Sequence, residues 1–221
     1  MLQTNQIIHG DAISTLSAFP NQSVDLIITD PPYLVNYRDR QGRTIANDDA
    51  PDCVLPALAE MYRVLKDDSY CFLFCGWSAI AQFSRAWEEA GFSTVGQIVW
   101  QKSYASRVWH TESRHEAAYV LAKGQPQKPV APVSSIQEWE YTGNKAHPTE
   151  KAVGILSPLV KAYSKPGDIV LDPFSGSGST SVAAALAGRR YIGIELEGRY
   201  CTTARTRLEG VARYLDKRRA A

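Results

Sequence analysis

The stretch Val24-Asp25-Leu26-Ile27-Ile28-Thr29-Asp30-Pro31-Pro32-Tyr33 decides the fold. Val24 and residues 26–28 are apolar and β-favouring, and an apolar run this short suits the centre of a parallel sheet. Pro31 and Pro32 end the strand, because neither has an N–H to give a ladder and both fix φ near roughly −65°. A carboxylate, a rigid turn and an aromatic ring therefore stand together at the carboxyl end of a strand, where open α/β sheets hold their ligands. A planar ring carrying an exocyclic amine would stack on Tyr33 and donate to Asp30, with the Pro31 carbonyl as a second acceptor. Taken alone, a strand end with a capping Asp and a turn-forming Pro pair explains the same residues.

Outward from this stretch, strands and helices alternate. Residues 7–11 form a short strand ending in Gly10-Asp11, followed by a helix over 12–19. Asp11 either caps that helix or reaches a ligand's amine. Helical spacing covers 51–66 and 77–90, with Gly91 as a stop, and buried strands are expected at 69–75, 95–100 and 117–121. A third helix runs to Tyr163, and Thr149 caps it or Lys151 points to the ligand. Strand 169–171, helix 181–187, strand 190–195 and helix 199–215 complete the series, with a frayed basic tail at 216–219. This alternation predicts an α/β sheet with helices on both faces. Residues 123–132 read as an exposed linker, and 133–143 have no clear period.

Two segments carry local positive charge. Arg38, Arg40 and Arg43 share the loop after Tyr33, which either closes on a ligand or meets phosphates, or is simply solvated. Residues 101–115 alternate basic and aromatic side chains, including Lys102, Arg107, Trp109 and Arg114. Phosphates and unstacked bases call for such a surface, although an exposed crossover explains it too. The whole chain offers no electrostatic case for nucleic acid, since 24 basic against 23 acidic residues leave a net charge of +1.

The 221 residues suit one domain, 1–221, with at most a small insertion. Cys53, Cys71, Cys75 and Cys201 form no Cys-x-x-Cys pair and the four histidines are scattered. Free thiols in a reducing cytosol are expected, with no metal site. No leader and no membrane span are expected.

Asp172-Pro173-Phe174-Ser175-Gly176-Ser177-Gly178-Ser179-Thr180 is a Gly-rich turn from strand to helix, and Glu195 ends the following strand. That order suits an adenosine-bearing cofactor whose ribose is held by the acid. Ser181 stands where a dinucleotide fingerprint has its third glycine, and no Lys follows Gly178 as in a P-loop. An adenosine ligand without phosphates fits better, and S-adenosylmethionine is one.

Together these stretches resemble the β group of DNA amino-methyltransferases, which act on adenine N6 or cytosine N4. Asp30-Pro31-Pro32-Tyr33 is similar to the family's catalytic motif, residues 172–178 to its S-adenosylmethionine motif, and His147-Pro148-Thr149-Glu150-Lys151 to the segment preceding the latter. The resemblance implies a Rossmann-like methyltransferase fold. Its sheet would be mostly parallel and seven-stranded, with one antiparallel strand and a circularly permuted motif order. It implies that Asp30 and the Pro31 carbonyl hold the target amine, Pro32 completes the rigid turn, and Tyr33 stacks on a flipped base. The cofactor would lie among Asp11, Asp30, Thr149, Lys151, Asp172, Pro173, Phe174, Ser175, Gly176, Gly178, Thr180 and Glu195. Arg38, Arg40, Arg43, Lys102, Arg107, Trp109 and Arg114 become candidate DNA contacts. Asp rather than Ser at the motif's first position leans toward adenine N6. The resemblance also implies a cytoplasmic, metal-free enzyme with DNA as partner, in a group whose members often pair as homodimers. Ala152 replaces the family's usual Pro. The target-recognition insertion, at about 122–144, is short, which argues against a long recognition site. Two rivals remain: a nucleotide-dependent oxidoreductase, which leaves Asp-Pro-Pro-Tyr unused, and an inactive nucleic-acid-binding module, against which the intact motif argues.

Overall fold

The computed structural model describes residues 2–38, 42–108, 110–144 and 146–220. In chain order the elements are β1 (Gln6–His9), α1 (Ala12–Ser17), β2 (Val24–Thr29), α2 (Pro51–Val54), α3 (Ala57–Val64), β3 (Leu65–Phe74), α4 (Ile80–Ala90), β4 (Ser93–Gln101), β5 (Arg107–Val108), β6 (Glu112–Ser113), β7 (His115–Lys123), β8 (Ile136–Glu138), α5 (Val153–Tyr163), β9 (Ile169–Asp172), α6 (Ser179–Leu186), β10 (Arg190–Glu195) and α7 (Gly198–Arg219).

One sheet has the order β1-β10-β9-β2-β3-β7-β4-β8. It holds eight strands among the described residues, not the expected seven. The extra strand is β8, which pairs parallel to the outer strand β4. Only β7 runs against the rest, antiparallel to both β3 and β4. Alternate side chains of the central strands feed two cores. Ile27, Cys71 and Leu171 face a core closed by Leu16 of α1, Leu58 of α3 and Trp87 of α4. Leu26, Ile28 and Val170 face one closed by Leu156 of α5 and Ala183 of α6.

Three expectations need correction. The helix expected over 51–66 is two helices, because Pro56 has no N–H to extend α2 and instead occupies the N-cap of α3. The strand expected at 69–75 starts earlier, at Leu65, where it pairs with Val24 before a register shift. The tail at 216–219 is the last turn of α7, whose Lys217, Arg218 and Arg219 suit the negative end of the helix dipole.

Candidate active site

The two motif-bearing strands, β2 and β9, are hydrogen-bonded neighbours, with Ile27 opposite Leu171. They are also joined by side chains. Thr29, the last residue of β2, donates its hydroxyl to Asp172 Oδ1 at 2.9 Å, fully buried. Asp30 follows Thr29, and both its oxygens are taken. Tyr33 donates its hydroxyl to Oδ1 at 2.7 Å, and Lys151 donates Nζ to Oδ2 at 2.5 Å. Pro31 is buried and Pro32 half-buried, so the turn that carries Tyr33 back to Asp30 is held on one side by the core.

Lys151 is buried, with its ammonium 5.1 Å from the Phe74 ring centroid and 5.7 Å from that of Tyr33. Burial raises the Asp30 carboxyl, against the pull of the Lys151 ammonium. Burial works to lower Lys151, but the carboxylates of Asp30 and Glu116 outweigh it and hold the ammonium above its ordinary range. Burial and the Asp30 charge push the Tyr33 hydroxyl well up. The group is therefore a shielded carboxyl with the Lys151 ammonium beside it.

The Gly-rich turn lies next to it. Asp172 is buried, also accepts from the Phe174 amide at 3.1 Å, and is pushed by burial up to about 7, against hydrogen bonds from Thr29, Thr180 and Phe174. Gly176, at φ 50°, passes close to the His147 ring and donates its amide to Glu195 Oε2 at 2.7 Å. The Glu197 amide holds the other Glu195 oxygen at 2.7 Å. Burial raises the Glu195 carboxyl despite these amides. A narrow cavity runs between the two motifs, lined by Asp30, Thr149, Lys151, Asp172, Phe174, Ser175, Gly176 and Thr180, with Phe74, His147 and Glu150 completing the wall.

Other expected residues stand elsewhere. Pro173 is buried outside the cavity lining. Gly178 serves packing rather than ligand approach: at φ +81°, a Cβ there would sit 2.7 Å from Ala204 Cβ of α7. Asp11 caps α1, accepting from the Ser14 amide at 2.8 Å, next to the strand end where His9 pairs with Glu195. Thr149 does not cap α5, whose N-cap is Ala152; its hydroxyl lies 3.3 Å from His147 Nδ1. Burial, with Lys151, Arg199 and Arg43 nearby, pushes His147 down to about 4.

Among the candidate DNA contacts, Arg40 and Trp109 lie outside the described residues, as does the side chain of Arg107. Arg38 is exposed in a bridge to Thr44, and Arg43 donates to the Asn144 carbonyl at 3.5 Å. Arg114 is exposed and donates to the Ser103 carbonyl at 2.9 Å. Lys102 is not a surface cation. It is 5% exposed and lies 2.5 Å from Glu116 Oε1, facing the Trp139 ring at 5.3 Å. A lysine this deep calls for an ion-pair partner, and Glu116 is that partner.

The sequence reading missed Glu116, Trp139 and Arg207. Arg207 of α7 donates to Ser177 Oγ at 2.9 Å and pairs with Glu150 at 3.1 Å, tying the segment before α5 to the Gly-rich turn. The signal available for Glu116 was the direction of its strand. Because β7 runs antiparallel, its first residues lie at the edge where the parallel strands end.

The family model described as DNA methylase, N6_N4_Mtase, matches residues 24–206. YubD of Escherichia coli (strain K12), which carries the name methylase provisionally, is 49% identical over 213 residues, covering 96% of this chain and 94% of that protein. The crystal structure of the M1.HpyAVI–SAM complex is 28% identical, with a TM-score of 0.73 over 92% of this chain and 98% of that one. The cytosine-N4-specific PvuII DNA methyltransferase has the same fold, at a TM-score of 0.75 and 17% identity, over 96% of this chain and 91% of that one.

Proposed function

The chain belongs to the DNA methylase family, and from that premise we propose that it moves the methyl group of S-adenosylmethionine to adenine N6 in DNA. One observation carries the reading. Asp30, a carboxylate that can accept from an amine, stands beside an aromatic ring and next to the Gly-rich turn, with Thr29 and Asp172 bonding the two strand ends together.

The residues present fit the cofactor. Ser175 lines the cavity, and its Oγ is buried without a hydrogen-bond partner among the described residues. Gly176 presents bare backbone beside it, and Glu195 is pre-oriented by two amides at the end of β10. Asp172, Phe174, Thr149 and Thr180 would line the cofactor, and Glu195 would accept from its ribose. When bound, the cofactor supplies an electrophilic methyl on a sulfonium sulfur.

The chain's own residues do the rest. The exocyclic nitrogen is a poor nucleophile because its lone pair is conjugated into the ring. Asp30 and the Pro31 carbonyl accept its two N–H bonds and favour a more tetrahedral nitrogen, aimed at the cavity. To do so, Asp30 Oδ2 exchanges the Lys151 ammonium for the amine. Tyr33 stacks on the base, and the nitrogen's proton leaves to Asp30 or water. Positioning and preorganised charge supply most of the acceleration. The base leaves the duplex stack first, at a cost of a few kcal/mol. Residues 122–144 are read as the target-recognition insertion of a single catalytic domain, and Arg38, Arg43 and Arg114 as phosphate contacts. Asp at the motif's first position supports adenine over cytosine N4, the second reading.

The test is transfer of labelled methyl from S-adenosylmethionine to DNA of mixed sequence, followed by digestion to nucleosides. Label in N6-methyladenine that vanishes with Asp30→Ala is the expected result. Label in N4-methylcytosine keeps the chemistry and overturns the base. No label on DNA overturns the function.

A further inference from the structure

Trp77 is 77% exposed, whereas Trp87 and Trp100 are buried. It lies three residues beyond the end of β3, in the turn before α4, closed by the Ala79 amide on the Gly76 carbonyl at 3.2 Å. The Cys75 amide bonds the Ala117 carbonyl at 3.2 Å and anchors the turn to β7. The position follows from the register. Thr29 pairs with Leu73, so the chain leaves β2 toward Tyr33 and leaves β3 toward Trp77 from the same edge of the sheet. The two exits touch, because a Cβ on Gly76 would lie 3.2 Å from Tyr33 Cδ2.

An indole on a hydrogen-bonded turn, open to water and one residue from the backbone that touches the proposed base-stacking ring, has a flat apolar face exposed. A duplex that gives up one base has the complementary surface, an unstacked step whose neighbouring base has lost a partner. Apolar side chains at other DNA-binding surfaces fill such steps, and aromatic rings stack on bases without regard to sequence. We propose that Trp77 is a DNA-binding residue that stacks on the base flanking the vacated position and so stabilises the open duplex. This rests on the DNA-methyltransferase reading above.

The experiment uses the full chain. The modified sequence is first mapped on plasmid treated with the wild-type enzyme. Two duplexes carrying it are then compared, one fully paired and one with an abasic site opposite the target, where opening costs less. Trp77→Ala is expected to lose roughly tenfold or more in kcat/KM on the paired duplex and about twofold or less on the abasic one. Trp77→Phe should recover much of the loss. Binding of S-adenosylhomocysteine, measured by calorimetry, should match the wild type in both variants. Equal losses on both duplexes would overturn the proposal and assign Trp77 to the active-site structure. No loss on either would also overturn it and leave the indole to solvent or another partner. Failure of the wild type to methylate any DNA is a separate result, which removes the underlying reading and this proposal with it.

Discussion

Asp30 and Asp172 end neighbouring strands, yet they are held in opposite ways. Asp172 is 4% exposed and bonded by its own turn and by Thr29 of the neighbouring strand, so its partners are neutral. The Asp30 side chain is 19% exposed and bonded by Tyr33 and by Lys151, a cation 121 residues away. The first is a scaffold for the turn. The second is an acceptor covered by a cation until something better arrives. A sheet edge can thus turn the same residue into a brace or a reagent according to what closes over it.

The largest expected effect separates the two directly. Asp30→Asn should remove methyl transfer by about three orders of magnitude while calorimetry finds S-adenosylhomocysteine bound as before. Asp172→Asn, which keeps an acceptor for Thr29, should instead weaken that binding. Equal behaviour of the two variants in both measurements would erase the distinction.

Lys151→Met tests the cover. Without the ammonium, only the Tyr33 hydrogen bond opposes burial at Asp30, so its pKa rises further. The acid limb of kcat/KM should then move to higher pH. An unmoved limb would mean that Lys151 does not govern Asp30.

Stability against pH sharpens the contrast. Asp172 rises from 3.8 to about 7, so the fold favours its protonated form. Its contribution is full below about pH 4 and is lost as pH rises through about 7, on the order of 4 kcal/mol in all. Denaturation of Asp172→Asn should therefore gain on the wild type as pH climbs through that window. His147 falls from 6.5 to about 4 and has the opposite sign. Its contribution is full above about pH 6.5 and lost as pH falls through about 4, so His147→Gln should gain on the wild type toward acid.

The smallest effect is at Tyr33. Tyr33→Phe keeps the ring and removes the 2.7 Å bond to Asp30, so transfer should fall by about fivefold, the worth of one hydrogen bond near 1 kcal/mol. A hundredfold loss would make the hydroxyl part of the chemistry.

What was legible in the sequence was what is local. Val24 to Tyr33 carries its own strand, stop and ring within one short stretch, and β9 with its turn does the same. Partners set by tertiary structure were not legible. Lys102 reads as a surface cation until β7 brings Glu116 to it. Gly176 and Gly178 look alike, but one approaches His147 and the cavity while the other makes room for Ala204. Strand β8 has three residues, and Ile136 is exposed, so no alternation betrays it. Pro56 was visible, but the helical spacing around it masked its effect.

The pairing of β1 with β10 has a consequence for biosynthesis. Strand β1 is at the edge of the sheet, and among the described residues its only strand partner is β10, from Gln6↔Ile192 to His9↔Glu195. Strand β1 therefore leaves the ribosome long before β10, the strand it pairs with. Glu195 sits on that later partner, so the proposed cofactor half forms only after β10 has been made. Contacts of such long sequence separation fold slowly and leave an unpaired edge exposed in the meantime. The nascent chain would therefore hold its proposed catalytic motif well before it could use it.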